Sequence, residues 1–368
     1  MFMNWLVFAF VFLGGGFLSF AITPLVRRAA FIFGAVDQPG DPRKIHKKPT
    51  PLLGGWAIFL GLFAVVLILT QLNSDILKAL PLKYLIGAIT AGLLIMVGGT
   101  LDDKFNLPAK FQWIFPFLAG LAIIASGIGI DFITNPLGGV VRLDQWNISV
   151  FSVNGIAYQV TVFADLFTIL WLLGMAYTTK FLDGLDGLVS GIGVVASFVV
   201  FGISFLPEVN QSHTAILALA LSGACLGFLI WNWHPAKIFL GEGGSLLIGF
   251  MLGVLSIISG GKIATALLVM GIPILDVLWV IGRRLFMEKR SIFEADRKHL
   301  HFRFLDAGFT VPQSVGIFLS LSALFGGLAI ILRGKDKLLL LLGTVLAMIL
   351  LVGFVVRKYQ KENKKTLA

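Results

Sequence analysis

Charge is scarce in this chain. Asp, Glu, Lys and Arg make up 13% of its residues, where a soluble domain carries about 25%. Cysteine is nearly absent. Cys225 stands alone inside an apolar run, so disulfides play no part. Acids are the scarcer charge, 19 against 29 Lys and Arg, for a net charge of +10. No basic helix or aromatic-basic module accompanies that excess, so nucleic acid is not an expected partner. No polar stretch is long enough to form a separate soluble domain.

Apolar residues are abundant instead: 57% of the 368 residues, with mean hydropathy +0.94. Stretches long enough to cross a hydrocarbon core, close to 20 residues each, recur along the whole sequence. Eleven are expected, at about 4–26, 52–72, 83–101, 111–130, 162–182, 188–206, 213–231, 244–260, 263–282, 314–332 and 338–356. The fold class is therefore all-α, a polytopic membrane helical bundle forming one domain over 1–368. Residues 131–161 form the longest outer loop. There Ile148–Val153 and Ile156–Val160 alternate around Asn154-Gly155, the signal of a small periplasmic β-hairpin.

The first apolar run has no positive flank before it, and Arg27-Arg28 follow it, which predicts a retained span that starts outside. With that start, 22 of the 29 basic residues fall on inner segments, satisfying the positive-inside rule. Attraction to anionic membrane lipids accounts for part of this excess.

The sequence is organised around Lys180-Phe181-Leu182-Asp183-Gly184-Leu185-Asp186-Gly187. Asp183 and Asp186 face the same side if the segment is helical. A carboxylate costs roughly 2.5–3.5 kcal/mol at mid-bilayer depth, so these acids either sit at the water edge or hold something positive. Lys180 is a phosphate contact or a cation snorkelling to the interface.

Other stretches share that inner side. The loop around Lys47 runs through prolines and lysines to Gly54-Gly55, and is a topology signal or an anion-binding rim. Asp102-Asp103 close the third span as a solvated helix end, or share a cation. Trp231–Ser245 holds Asn232, Lys237, Phe239 and Glu242 among glycines. Phe239 faces lipid or offers a platform on which a base stacks. Asp276, inside an apolar run, reads as a buried partner. His299, His301 and Arg303 lie in the large loop 283–313. The two histidines form a surface pair or part of a zinc site, though no further ligand stands at zinc spacing. Together the acids make an oxygen-rich set suited to magnesium, with anion binders around it. Such a set meets the demand of phosphoryl transfer, where two negative groups must be brought together.

In order, Arg-Lys-Ile-His…Pro-x-Pro-x-x-Gly-Gly, Leu-Asp-Asp-Lys, Phe-Leu-Asp-Gly-Leu-Asp-Gly-Leu, Asn-x-His-Pro-Ala-Lys-Ile-Phe-Leu-Gly-x-x-Gly-Ser and His-Leu-His span about 36–310. This series resembles the polyprenyl-phosphate N-acetylhexosamine-1-phosphate transferase superfamily, glycosyltransferase family 4. It is more similar to the branch that starts teichoic acid and O-antigen (lipopolysaccharide) chains than to the phospho-MurNAc-pentapeptide branch.

The resemblance implies transfer of a HexNAc-1-phosphate, GlcNAc-1-phosphate first, from a UDP-sugar to undecaprenyl phosphate, releasing UMP. It further implies a site on the cytoplasmic face of the bacterial inner membrane and Mg²⁺, with Mn²⁺ as the second ion. Asp102, Asp103, Asp183 and Asp186 would be catalytic, and Asp102, Asp103 and Glu242 would hold the metal. Lys47, Lys180, Asn232, Lys237, Phe239, His299, His301 and Arg303 would bind substrate. A homodimer is left open. Three positions depart from the family pattern, which usually has Asn at Lys180, Asp at Glu242 and His at Phe302. Two rivals stand beside this reading: the MurNAc-pentapeptide transferase, and a transporter of lipid-linked sugars, which would need repeat halves and charges at mid-depth.

Overall fold

The computed structural model describes residues 5–40, 46, 48–72, 81–135, 138–153, 156–206, 209–260, 263–289 and 298–366. Lys47 and the turn residues Asn154-Gly155 lie outside the described residues.

Helix α1 (Trp5–Phe33) is followed by the short pair β1 (Val36–Asp37) and β2 (Thr50–Pro51), which are antiparallel. Next come α2 (Gly55–Gln71), α3 (Leu82–Phe105), the short α4 (Ala109–Gln112) and α5 (Ile114–Ala125). Two antiparallel pairs then form at one end of the bundle. They are β3 (Phe132–Thr134) with β4 (Val140–Arg142), and β5 (Asn147–Val153) with β6 (Ile156–Thr161). The second is the hairpin legible in the alternation; the first is too short to show a pattern.

The chain continues through α6 (Val162–Leu182), α7 (Leu188–Ser204), α8 (Ser212–Asn232), α9 (Gly241–Ile258), α10 (Ile263–Val269) and α11 (Gly271–Gly282), the last running on into a π-turn over Arg283–Glu288. It ends with α12 (Leu300–Asp306), α13 (Val311–Ile331) and α14 (Lys335–Thr366).

Among the described residues, seven helices are long and apolar enough to cross a membrane, and an eighth crossing arises if α10 and α11 with its π-turn count as one bent span. The expected spans at 52–72, 111–130 and 188–206 are shorter apolar helices, α2, α4–α5 and α7. The 80° bend between α10 and α11 has a local cause. Pro273 carries no N–H for the carbonyl four residues back, and its ring clashes with the preceding turn. The first span reaches Phe33, past its expected end near 26. Arg27 is accommodated because its Nε donates to the Lys237 carbonyl at 3.2 Å.

Helix α9 is the axis of the molecule, with every residue except Glu242 and Ile258 buried. It packs against α2, α3, α6 and α7. At the periphery, α1 and α14 expose Leu13, Phe17, Leu342, Leu346 and Ile349, the apolar surface a bilayer covers. The capping box on α13, where Thr310 and Gln313 satisfy each other's backbone N–H, marks a helix start at the polar boundary.

Candidate active site

Four helix ends meet where the acids lie: the C-termini of α3, α6 and α8 and the N-terminus of α9. Their approach depends on glycine. A Cβ on Gly99 of α3 would stand 2.1 Å from the Gly243 Cα of α9, and one on Gly55 of α2 would stand 2.2 Å from the Gly244 Cα. With only hydrogens there, the backbones touch. The Glu242 N–H then donates to Asp103 Oδ1 at 3.0 Å, an acid satisfying a free N–H at a helix start.

Beside this contact, the Lys180 ammonium lies 2.8 Å from Glu242 Oε2 and 3.7 Å from Asp102 Oδ2. It also donates to Gln112 Oε1 at 2.9 Å. The Asp102 carboxylate is buried, and its Oδ1 accepts from the Leu107 N–H at 2.9 Å and from Gln112 Nε2 at 3.3 Å. Asp183 caps α6 and lies within electrostatic range of Asp103 and Glu242. Solvent reaches it, yet protein crowds round it. That crowding first, and then the charges of Glu242 and Asp186, hold its carboxyl above the ordinary range.

The turn 183–187 links this cluster to two others. Asp186 Oδ2 lies 2.7 Å from His234 Nδ1 and accepts from the Ala236 N–H at 3.0 Å. Asn232, expected to touch substrate, is buried. Its Oδ1 accepts from the Gly187 N–H and Ser190 Oγ, and its Nδ2 donates to the Ile238 carbonyl. It holds the 183–187 turn against the 233–238 turn. Phe239 is half-buried, with the His46 ring edge-on at 5.2 Å. Its backbone pairs with Pro51 and Gly54, which carries the first loop to the site.

On the other flank, His299 Nδ1 lies 2.9 Å from Asp276 Oδ2, and its ring stacks on both Phe181 and His301. Asp276 is thus a buried partner, as its position inside an apolar run predicts. The surface-pair reading of the two histidines is corrected: His299 is 7% exposed and His301 is 0% exposed. Among the described residues, neither ring nitrogen of His301 has a hydrogen-bond partner. Burial lowers its pKa to about 3, so the ring is neutral. Gly184 leaves the space it fills, since a Cβ there would meet His301 Nε2 at 2.2 Å. Phe302 packs on His301 with ring centroids 4.3 Å apart.

Two expected substrate residues stand apart. Lys237 is exposed, with its ammonium over the Trp231 ring at 5.1 Å. Arg303 donates from Nε to the Lys298 carbonyl. The residue with no sequence signal is Gln112, whose amide joins Asp102 to Lys180. An apolar cavity of about 230 Å³ also opens between α6 and α11, lined by Trp171, Met175, Tyr177, Phe181, Ile274 and Leu278. The Tyr177 ring that lines it lies 5.8 Å from the Lys180 ammonium, so one wall of the cavity adjoins the cluster.

The implied metal set is not assembled. Among the described residues, no three His, Cys, Asp or Glu side chains stand together as metal ligands. Between Asp102 and Glu242, two of the three predicted ligands, lies the Lys180 ammonium. A divalent ion on Asp102, Asp103 and Glu242 does not fit this arrangement.

Membrane-length helices around a buried axis, with acids and a lysine gathered at one end, define a multi-pass membrane protein with a polar site at the edge of its bundle. The sequence profile of glycosyl transferase family 4 matches residues 85–260. A probable undecaprenyl-phosphate N-acetylglucosaminyl 1-phosphate transferase of Bacillus subtilis (strain 168) is 34% identical, over 85% of this chain and 81% of its own. A decaprenyl-phosphate N-acetylglucosaminephosphotransferase of Mycolicibacterium smegmatis is 33% identical, over 83% and 77%. An undecaprenyl-phosphate alpha-N-acetylglucosaminyl 1-phosphate transferase of Yersinia pestis is 29% identical, over 89% and 83%. The chain belongs to glycosyl transferase family 4.

Proposed function

We propose that this protein transfers N-acetylglucosamine-1-phosphate from a UDP-sugar to undecaprenyl phosphate, releasing UMP, as the first step of a cell-envelope glycopolymer. The relatives' names support the reaction. The observation that carries it to this structure is the meeting of Asp102, Asp103, Asp183, Lys180 and Glu242, from three distant stretches, at one end of a membrane bundle.

In the reaction a lipid-phosphate oxygen attacks the sugar-proximal phosphorus. A new P–O bond forms, the bond to the bridging oxygen breaks, and UMP leaves with that oxygen. The attacking and departing groups are both anionic, so the acids orient while the cations offset charge. The apolar cavity beside Tyr177 and Phe181 suits the first isoprene units of the lipid, which would bring its phosphate to Lys180. The neutral His301 lies against the Gly184 turn, on the flank we assign to the sugar phosphate.

The site faces the cytoplasm of the bacterial inner membrane in this proposal, which follows the bias of Lys and Arg, with the β3–β6 hairpins outside. The shorter helices α2, α4–α5 and α7 would then cross as well, giving the eleven crossings expected, and the whole chain would act as one transferase unit. The test is direct. Purified protein is incubated with undecaprenyl phosphate and a panel of UDP-sugars that includes UDP-MurNAc-pentapeptide, and UMP is measured. Release with UDP-GlcNAc is expected; silence with every sugar would overturn the proposal.

A further inference from the structure

Lys180 is an unusual neighbour for a cluster built to receive a divalent ion. An ammonium carries three protons, and here three acceptors surround it: Glu242 Oε2 at 2.8 Å, Gln112 Oε1 at 2.9 Å and Asp102 Oδ2 at 3.7 Å. The Tyr177 ring adds a fourth side, its centroid 5.8 Å from Nζ. The Lys180 side chain is 12% exposed, so it does not snorkel to the interface. Its partners are committed as well. Asp102 Oδ1 is taken by the Leu107 N–H and Gln112, and the Gln112 amide also donates to the Leu107 carbonyl. A metal entering between Asp102 and Glu242 would have to displace a buried ammonium from between the two carboxylates or bear repulsion from it.

We infer that Lys180 is a resident cation of this site, supplying between Asp102 and Glu242 the positive charge that a divalent ion would otherwise bring. It is a positioning residue: it fixes the two carboxylates and lets the site assemble with its acids close together. The consequence for catalysis rests on the transferase reading given above. Wild-type protein should release UMP without an added divalent ion, and loss of the lysine should create a dependence on one.

The experiment has one arm that needs no turnover. Mn²⁺ is titrated into purified, detergent-solubilised protein and free ion is read by electron paramagnetic resonance. Wild type is expected to bind weakly. Lys180→Asn, which leaves the acids uncompensated, should bind at least about tenfold more tightly. Equal or tighter binding by wild type would overturn the inference. Lys180→Gln, which keeps a polar group of similar reach beside Gln112, serves if Lys180→Asn fails to fold. If neither variant folds, tight saturable Mn²⁺ binding by wild type still refutes the inference, and its absence supports it. In the second arm UMP release is measured with chelator and then with Mg²⁺ restored. Wild type should keep most of its activity in chelator, whereas Lys180→Asn should lose it and recover with Mg²⁺. Abolition of wild-type activity by chelator would count against Lys180. No UMP under any condition would instead reject the transferase reading, leaving the Mn²⁺ arm to decide this one.

Discussion

At the scale of single residues, what matters is which charges are compensated. Asp102 is buried and tied to Leu107, Gln112 and Lys180, and Asp183 is crowded by Glu242 and Asp186. Asn at either position keeps the shape and removes the charge. Asp102→Asn and Asp183→Asn should each lower UMP release by about 100-fold or more, the scale of a lost acid–base or charge-orienting group, while gel-filtration profiles stay unchanged. Full activity in either variant would remove that residue's role. His301 offers a pH prediction. Its pKa falls from 6.5 in the unfolded chain to about 3 in the folded one, because burial disfavours the charged ring. Between those values the unfolded state binds the extra proton, so stability is fully present above 6.5 and is lost as the pH falls towards 3. His301→Leu, which cannot titrate, should flatten that part of the acid limb of the thermal midpoint in detergent; an unchanged slope would show that other groups set it.

At the scale of elements, the site depends on how closely α3 and α9 approach. A Val at Gly99 would drive its side chain into the Gly243 backbone, where no rotamer can give way. Gly99→Val should therefore lower the thermal midpoint and also abolish UMP release, because Glu242 can no longer reach Asp103. A midpoint matching wild type would mean that the helices part without cost. The α13 cap is a control whose hydrogen bonds, to Gln313 and Ser314, involve none of the acids or Lys180. Thr310→Ala removes the acceptor for the Gln313 N–H and should cost about 1 kcal/mol of stability, with activity per folded molecule unchanged.

At the scale of the whole molecule, the proposal places the site on the cytoplasmic side of the bilayer and the hairpins on the other. Helix α6 carries the chain from the β3–β6 hairpins at its N-terminus to Lys180 at its C-terminus, so these two features lie at opposite ends of one membrane-length helix. The one cysteine of the sequence, Cys225, is buried, which makes single exposed cysteines informative. In intact bacterial cells, Val141→Cys on β4 should react with a membrane-impermeant maleimide, and Lys104→Cys at the end of α3 should react only after lysis. The reverse pattern would invert the proposed orientation.

Much of this was legible in the residues because a lipid solvent imposes a simple rule: backbone polar groups must bond within the helix, and the side chains around them must be apolar. Helix positions could therefore be read from hydropathy almost to the residue at 162–182 and to within a few residues elsewhere, apart from the last helix, which runs on to Thr366 past its expected end near 356. They were missed where local chemistry overrode it, as at the α10–α11 bend and at Arg27. The acids could be singled out because charge in an apolar chain is costly and needs a reason. The pairing of those acids was not legible. Gln112 carries no spacing signal, and only the fold makes it the bridge between Asp102 and Lys180. The two histidines read equally well as a surface pair until Asp276, more than twenty residues away, is seen to hold one and Gly184 to make room for the other. The sequence by itself determined that the chain fills a membrane with helices and keeps a few charges at their ends, since both follow from the transfer free energy of each side chain. Which of those charges meet, and that a lysine lies where two acids were expected to share a metal, was decided by tertiary structure, because backbone contact between glycines on different helices sets distances that no linear pattern encodes.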